Sequence, residues 1–156
     1  MLRVDIRQLQ QGPVATSGQI EPGDPVLDGL GLELAGPVVV EGMLQRTGQD
    51  DYLWRAHLRA EVLGECSRCL APVTQQLDEG MDVLFSADPD LIDDPSVYAL
   101  APDVTHVDVT MAVREELALR LSAFPLCRPD CKGLCATCGA DLNAGPCPAH
   151  GTGTTD

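Results

Sequence analysis

Apolar residues fall on every second position from Tyr52 to Val62: Tyr52, Trp54, Ala56, Leu58, Ala60 and Val62, with Arg55, His57, Arg59 and Glu61 between them. A period of two puts alternate side chains on opposite faces, so this segment predicts a strand with one buried face. Val38 to Arg46 reads as a second strand, and "TGQDD" at 47 to 51 as the turn joining the two. A third runs from about Val73 to Phe85, with Leu77, Met81, Val83 and Phe85 on one face; these strands are expected to pair antiparallel. Near the N-terminus Leu2, Val4 and Ile6 alternate with Arg3, Asp5 and Arg7, which predicts a further half-buried strand.

Other segments break the alternation. Residues 12 to 37 are rich in Gly and Pro and predict loop with room for one short strand. Residues 86 to 107 contain Pro89, Pro95 and Pro102 and also predict loop. Asp108 can then cap a helix over "VTMAVREELALRLSA", its carboxylate accepting amide hydrogens of the first turn. Val109, Ala112, Val113, Leu117 and Leu121 give that helix an apolar stripe, and Pro125 ends it. The expected fold is α+β: a mainly antiparallel sheet or partial barrel over residues 1–125, with one main helix near 108–123. Residues 126–150 form a short, polar, cysteine-rich tail with no periodicity to build a core, and 151–156 are expected to be disordered.

Composition adds limits. The 156 residues suit one domain with a small appendage, and 44% are hydrophobic, enough for a core. Only Tyr52, Trp54, Phe85, Tyr98 and Phe124 are aromatic, so that core is built largely from Val, Leu and Ala. The N-terminal segment lacks the apolar stretch of a signal peptide, and no run approaches the ~18 apolar residues of a membrane span. A cytoplasmic setting, without membrane, is expected. Twenty-four acids against ten bases leave a formal charge of −14, which repels phosphate and disfavours unaided binding to naked nucleic acid. From Asp78 to Asp108 there are nine acids and no Lys or Arg, either a solvated loop or a landing surface for a basic partner.

The chemistry concentrates in "CRPDCKGLCATCGADLNAGPCPAH" at 127 to 150, together with "ECSRCL" at 65 to 70. Cys66 and Cys69 form a C-x2-C knuckle between two predicted strands, a spacing that turns two sulfurs toward one ion. The tail adds Cys127 and Cys131, Cys135 and Cys138, and Cys147 and His150. Eight candidate ligands make two complete four-ligand sites, so the expected cofactor is zinc: two ions by ligand count, one at the least. Chain reach favours Cys135, Cys138, Cys147 and His150 closing locally, with Cys66 and Cys69 meeting Cys127 and Cys131. A ribbon-like grouping of Cys66, Cys69, Cys135 and Cys138 is the alternative. Rubredoxin-like iron suits the same thiols, whereas an odd cysteine count and a reducing compartment argue against disulfides. Closed four-ligand sites stabilise a fold and leave no position for catalysis.

The elements "CSRCL", the "REEL" helix and "FPLCRPDCKGLCATCGADLN" resemble the YceD family of bacteria and plastids over residues of about 38 to 147. His150, in "CPAH", lies beyond the matching pattern. The resemblance implies a role in accumulation of the large-subunit ribosomal RNA, with a large-subunit precursor, a basic ribosomal protein or 23S rRNA as partner and no small-molecule substrate. Given the charge, basic proteins or protein-coated RNA suit this chain better than bare RNA, and scarce aromatics argue against base stacking. Arg68, Arg128 and Lys132, the last being the only lysine, could set a basic patch at the metal end or simply offset the thiolate charge.

No catalytic constellation stands out, and a non-enzymatic role is expected. His57 reads as a surface residue and His106 carries no assignment. Adjacent Glu115 and Glu116 point different ways on their helix and read as solvated. The competing classes are a thiol or zinc redox switch, for which Cys131 and Cys135 would oxidise reversibly, a regulatory protein-binding module, and a Mg²⁺-dependent nuclease using the acidic loop.

Overall fold

The computed structural model describes residues 1–151. In chain order the elements are β1 (Arg3–Asp5), α1 (Ile6–Leu9), β2 (Val14–Ile20), a 3₁₀ turn (Pro25–Leu27), β3 (Glu33–Leu34), β4 (Val38–Arg46), β5 (Asp51–Glu65), β6 (Pro72–Ser86), β7 (Val97–Ala99), β8 (His106–Asp108), α2 (Thr110–Arg120) and a second 3₁₀ turn (Leu142–Ala144). The main sheet runs β2-β4-β5-β6-β7, and β3 continues the β4 edge alongside β5. Its neighbours are antiparallel except β6 and β7, which pair in parallel. β1 and β8 form a separate antiparallel pair.

One face of the sheet is dry. Val38, Val40 and Leu44 of β4 meet the alternating set from Tyr52 to Val62, and Leu77, Met81, Val83 and Phe85 complete the layer, all buried. Ala112, Val113 and Leu117 of α2 cover it, joined by Val4 and Val107 from the small ribbon. Trp54 sits at its centre with no exposure, and its indole N–H donates to the Thr16 hydroxyl at 2.9 Å. Gly42 lets β4 close on β5: a Cβ there would stand 2.7 Å from both the Ala56 Cβ and the Arg55 carbonyl. No helix among the described residues is long and apolar enough to cross a membrane.

Several expectations need correction. Among the described residues the ends of the strand path do not pair, so the sheet is open and no closed barrel forms. The first strand stops at Asp5, whose carboxylate accepts the Arg7 N–H and starts α1 at Ile6. The 12–37 segment holds the seven-residue β2 as well as β3, and 86–107 holds β7 and β8. The helix ends at Arg120, not near 123, with Leu121 already extended. Asp108 does accept the Thr110 N–H, at 2.9 Å. Gly151 donates to the Cys147 carbonyl at 2.8 Å; the remainder of the segment expected to be disordered lies outside the described residues.

The "REEL" residues tie α2 down. Arg114 donates to the Val26 carbonyl and holds the long β2–β3 connection against the helix. Glu116 is not freely solvated: Arg120 bridges it at 3.0 Å and Glu79 of β6 at 2.6 Å. Glu115 is exposed. His57 lies on the open face of the sheet, paired with Asp78.

Replacing Thr16 with valine keeps the shape but leaves a buried indole N–H without an acceptor. Urea unfolding followed by fluorescence of the single tryptophan should register a loss of about 1–3 kcal/mol.

Candidate metal centres

β5 and β6 end together at the pair Glu65↔Pro72, and the six residues between them fold back as a knuckle. The Cys66 N–H donates to the Ala71 carbonyl at 2.8 Å, and the Leu70 N–H to the Cys66 carbonyl at 2.9 Å. In the tail, Cys135 donates to Ala140 at 2.8 Å and Gly139 to Cys135 at 2.8 Å, the same two bonds at the same offsets. The residue after the second cysteine takes a positive φ in both, +62° for Leu70 and +75° for Gly139. Leu70 is the only non-glycine among the described residues in that region, so the first knuckle bears a strain the second avoids.

The segment after α2 meets the first knuckle where the Ser67 N–H donates to the Pro125 carbonyl at 2.8 Å. Cys127 and Cys131 then approach from the far side. Sulfur separations are 3.7 Å for Cys66–Cys131 and 3.6 Å for Cys69–Cys127, with all four Sγ atoms within 4.8 Å of one another. A second cluster joins Cys135, Cys138, Cys147 and His150 within the same limit. There Cys138 and Cys147 are 3.5 Å apart, and His150 Nδ1 lies 3.4 Å from Cys147 and 3.8 Å from Cys135. The local grouping expected from chain reach is the one formed; the two knuckles do not share a cluster.

The donor sets fit a tetrahedral ion. A zinc–sulfur bond of ~2.3 Å implies sulfur–sulfur edges of ~3.8 Å, and mixed sulfur–nitrogen edges come slightly shorter. A disulfide requires ~2.05 Å, and every cysteine is free. Cys66, Cys131 and Cys147 are buried, while Cys127, Cys138 and His150 reach the surface.

Electrostatics point the same way. Backbone hydrogen bonds from Cys127 and Cys69 draw the Cys66 thiol down to about 6, and the Asn143 side chain lowers Cys131. Desolvation and the surrounding thiols, Cys69 first, push Cys127 up to about 12. In the second cluster, backbone bonds from Cys138 and Thr137 bring Cys135 down to about 6. Cys147 is lowered by His150 and raises it in turn. Four thiols this close cannot all ionise against one another; a divalent cation removes that repulsion by replacing the remaining protons.

Three residues around the clusters have roles that spacing did not disclose. Arg68, expected as a partner contact, spends one guanidinium nitrogen on the Cys131 carbonyl at 2.9 Å. Gly133, at φ +75°, packs against that knuckle, where an added Cβ would meet the Arg68 carbonyl at 3.1 Å. Asn143 donates from Nδ2 to Cys131 Sγ at 3.4 Å and accepts the Lys132 N–H at 2.9 Å; Asp141 Oδ1 fixes it by accepting from its backbone and side chain, both at 2.9 Å. The "DLN" run was the available signal, since it follows the knuckle directly. Arg128 is exposed with its Nε 3.6 Å from Asp130, and Lys132 is exposed without an ion pair among the described residues.

The class is an open sheet with a cysteine knuckle at its longest hairpin and a tail that closes two four-donor clusters able to hold metal. Residues 54–156 match the family described as large ribosomal RNA subunit accumulation protein YceD, and the chain belongs to that family. The match begins at Trp54, later than the resemblance near residue 38. An uncharacterized protein of Mycobacterium tuberculosis is 32% identical over 125 residues, 78% of this chain and 55% of that protein. One from Mycobacterium leprae is 28% identical over 134 residues, 81% of this chain and 61% of its own. A Zea mays protein named large ribosomal RNA subunit accumulation protein YCED homolog 1, chloroplastic, is 28% identical over 147 residues, 75% of this chain and 50% of its own. The chain thus spans about half the length of the curated relatives it matches. No solved structure matches it.

The knuckle comparison yields a paired test by thermal unfolding. Gly139→Ala should cost about 1–2 kcal/mol through left-handed strain alone, since nothing lies within 4 Å of the added Cβ. Leu70→Gly should gain less than about 1 kcal/mol, strain relief being partly offset by chain entropy.

Proposed function

We propose that this protein is a non-enzymatic factor in assembly of the large ribosomal subunit, bound to a precursor through its metal end. The family name supports the ribosomal role. The observation that carries the non-enzymatic reading is the pair of four-donor clusters, which uses all seven cysteines and His150. We assign zinc to both, held by Cys66, Cys69, Cys127 and Cys131 in one and by Cys135, Cys138, Cys147 and His150 in the other. Zinc there supplies cross-linking of the tail and no reaction, because four protein ligands leave no place for water or substrate. A redox switch would act through the cluster thiols themselves, Cys131 and Cys135, with loss of the ion; closed coordination by four ligands shields both thiolates from oxidation.

Charge separation supports a partner contact with two ends. β5 and β6 are 15 residues each, so at about 3.3 Å per residue the ends of the hairpin stand about 45 Å apart. At one end Asp88, Asp90, Asp93 and Asp94 follow β6, without ion pairs among the described residues. At the other, Arg128 and Lys132 are exposed beside the first cluster. The metal end suits ribosomal RNA phosphate already framed by proteins, and the acidic end suits a basic ribosomal protein. The reduced thiols suit the cytoplasm as its site of action.

Sucrose-gradient sedimentation from growing cells tests the reading. Wild type should travel with large-subunit precursors, and an Arg128→Glu/Lys132→Glu variant that retains its zinc should move toward the top. Wild type confined to the top would sink the ribosomal role. Separately, native mass spectrometry of anaerobically purified protein should find two zinc ions per chain, and finding none would remove the metal assignment.

A further inference from the structure

The loop at 139–146 belongs to the second cluster by connectivity, because it links Cys138 to Cys147. Its most constrained side chain nevertheless serves the first. Asn143 donates to Cys131 Sγ at 3.4 Å, and its Oδ1 takes the N–H of Lys132, the next residue along. Asp141 holds both nitrogens of Asn143, the Leu142 N–H donates to the Gly133 carbonyl at 2.9 Å, and Leu134 bridges to Asp141. The amide is half-buried and cannot swing away without breaking this set.

From this we infer that Asn143 couples the two metal sites, so that closing the second cluster raises metal retention at the first. The inference rests on the two-ion reading above. An amide N–H donated to a metal thiolate offsets part of its charge and orients the sulfur, an effect seen in outer-shell partners generally. Here the donor is presented only when the loop between Cys138 and Cys147 is folded. An ion in the second cluster fixes both ends of that loop. Coupling between sites is reciprocal, so the first ion favours the second by the same factor. Asn143 is thus a positioning residue rather than a ligand, and the tail closes as one cooperative unit instead of two beads.

Cadmium-113 NMR of the full chain distinguishes the sites, because a four-sulfur ion resonates apart from a three-sulfur, one-nitrogen ion. Two resonances from wild type establish the starting condition; fewer than two would defeat the two-ion reading itself. Asn143→Ala should shift the four-sulfur signal and let a chelator remove that ion about 10–100-fold more readily. Asn143→Asp keeps the acceptor for Lys132 but replaces the donor with a carboxylate oxygen, and should lose the ion at least as easily as the alanine variant. Emptying the second cluster with Cys147→Ser should weaken the first to the Asn143→Ala level, and the double variant should fall no further. Unchanged urea unfolding monitored at Trp54 would exclude collapse of the sheet as the cause. Two wild-type resonances with four-sulfur retention unaltered in both Asn143 variants would overturn the coupling while leaving the clusters intact. Additive losses in the double variant would overturn it equally.

Discussion

The register of β5 against β6 is the constraint on which the rest depends. Pairing runs without interruption from Asp51↔Ser86 to Glu65↔Pro72. Burial does not follow it to the end. Val62 is the last buried residue of β5 and Leu77 the first of β6, so the distal part of the hairpin extends beyond the apolar core. A two-stranded ribbon alone in water is marginal. What stands at its tip is Cys66, with no exposure, buried by the returning tail instead of by the sheet. The sulfur cluster thus takes the place of a core where none reaches. An ion held there would be strong enough for that, binding energies in small zinc peptides being ~10–16 kcal/mol.

The same substitution of bonds for packing organises residues 127–151. Leu134 and Leu142 are only half-buried, and the buried side chains among 127–151 are chiefly Cys131 and Cys147. Arg128 and Lys132 balance Asp130 and Asp141 there, so the described tail has no net side-chain charge before its thiolates are counted. With zinc in both cages, four thiolates leave one site at −2 and three thiolates with a neutral imidazole leave the other at −1, so exposed Arg128 and Lys132 mark the place where a polyanion meets least repulsion on a chain of net charge −14. The basic side chains there are therefore better viewed as a local opening in a repulsive field than as a nucleic-acid-binding platform.

Much of the sheet was legible because one-sided burial writes a period of two into the chain. The Tyr52–Val62 alternation and the Leu77–Phe85 face are both buried as the pattern implies. β2 escaped because its inward positions include Thr16, a polar residue that is buried by accepting the Trp54 indole hydrogen. β7 and β8 are three residues each and owe their form to partners far along the chain, Leu84–Ser86 and Arg3–Asp5, rather than to any local period. For the clusters, ligand type and chain reach sufficed to anticipate the grouping. The supporting bonds of Arg68 and Asn143 did not follow from spacing, since side-chain amides and guanidinium groups select backbone and sulfur partners only after the fold has brought them near.

Zinc K-edge X-ray absorption of the purified protein tests the claim of two closed cages most directly. Seven cysteines and one histidine over two ions predict an average shell of 3.5 sulfurs and 0.5 nitrogen per zinc, with zinc–sulfur distances of ~2.3 Å. That shell, with no oxygen, is the expected result. A fitted oxygen ligand would mean an open coordination position, and the account of a non-catalytic, sulfur-held hairpin tip would be wrong.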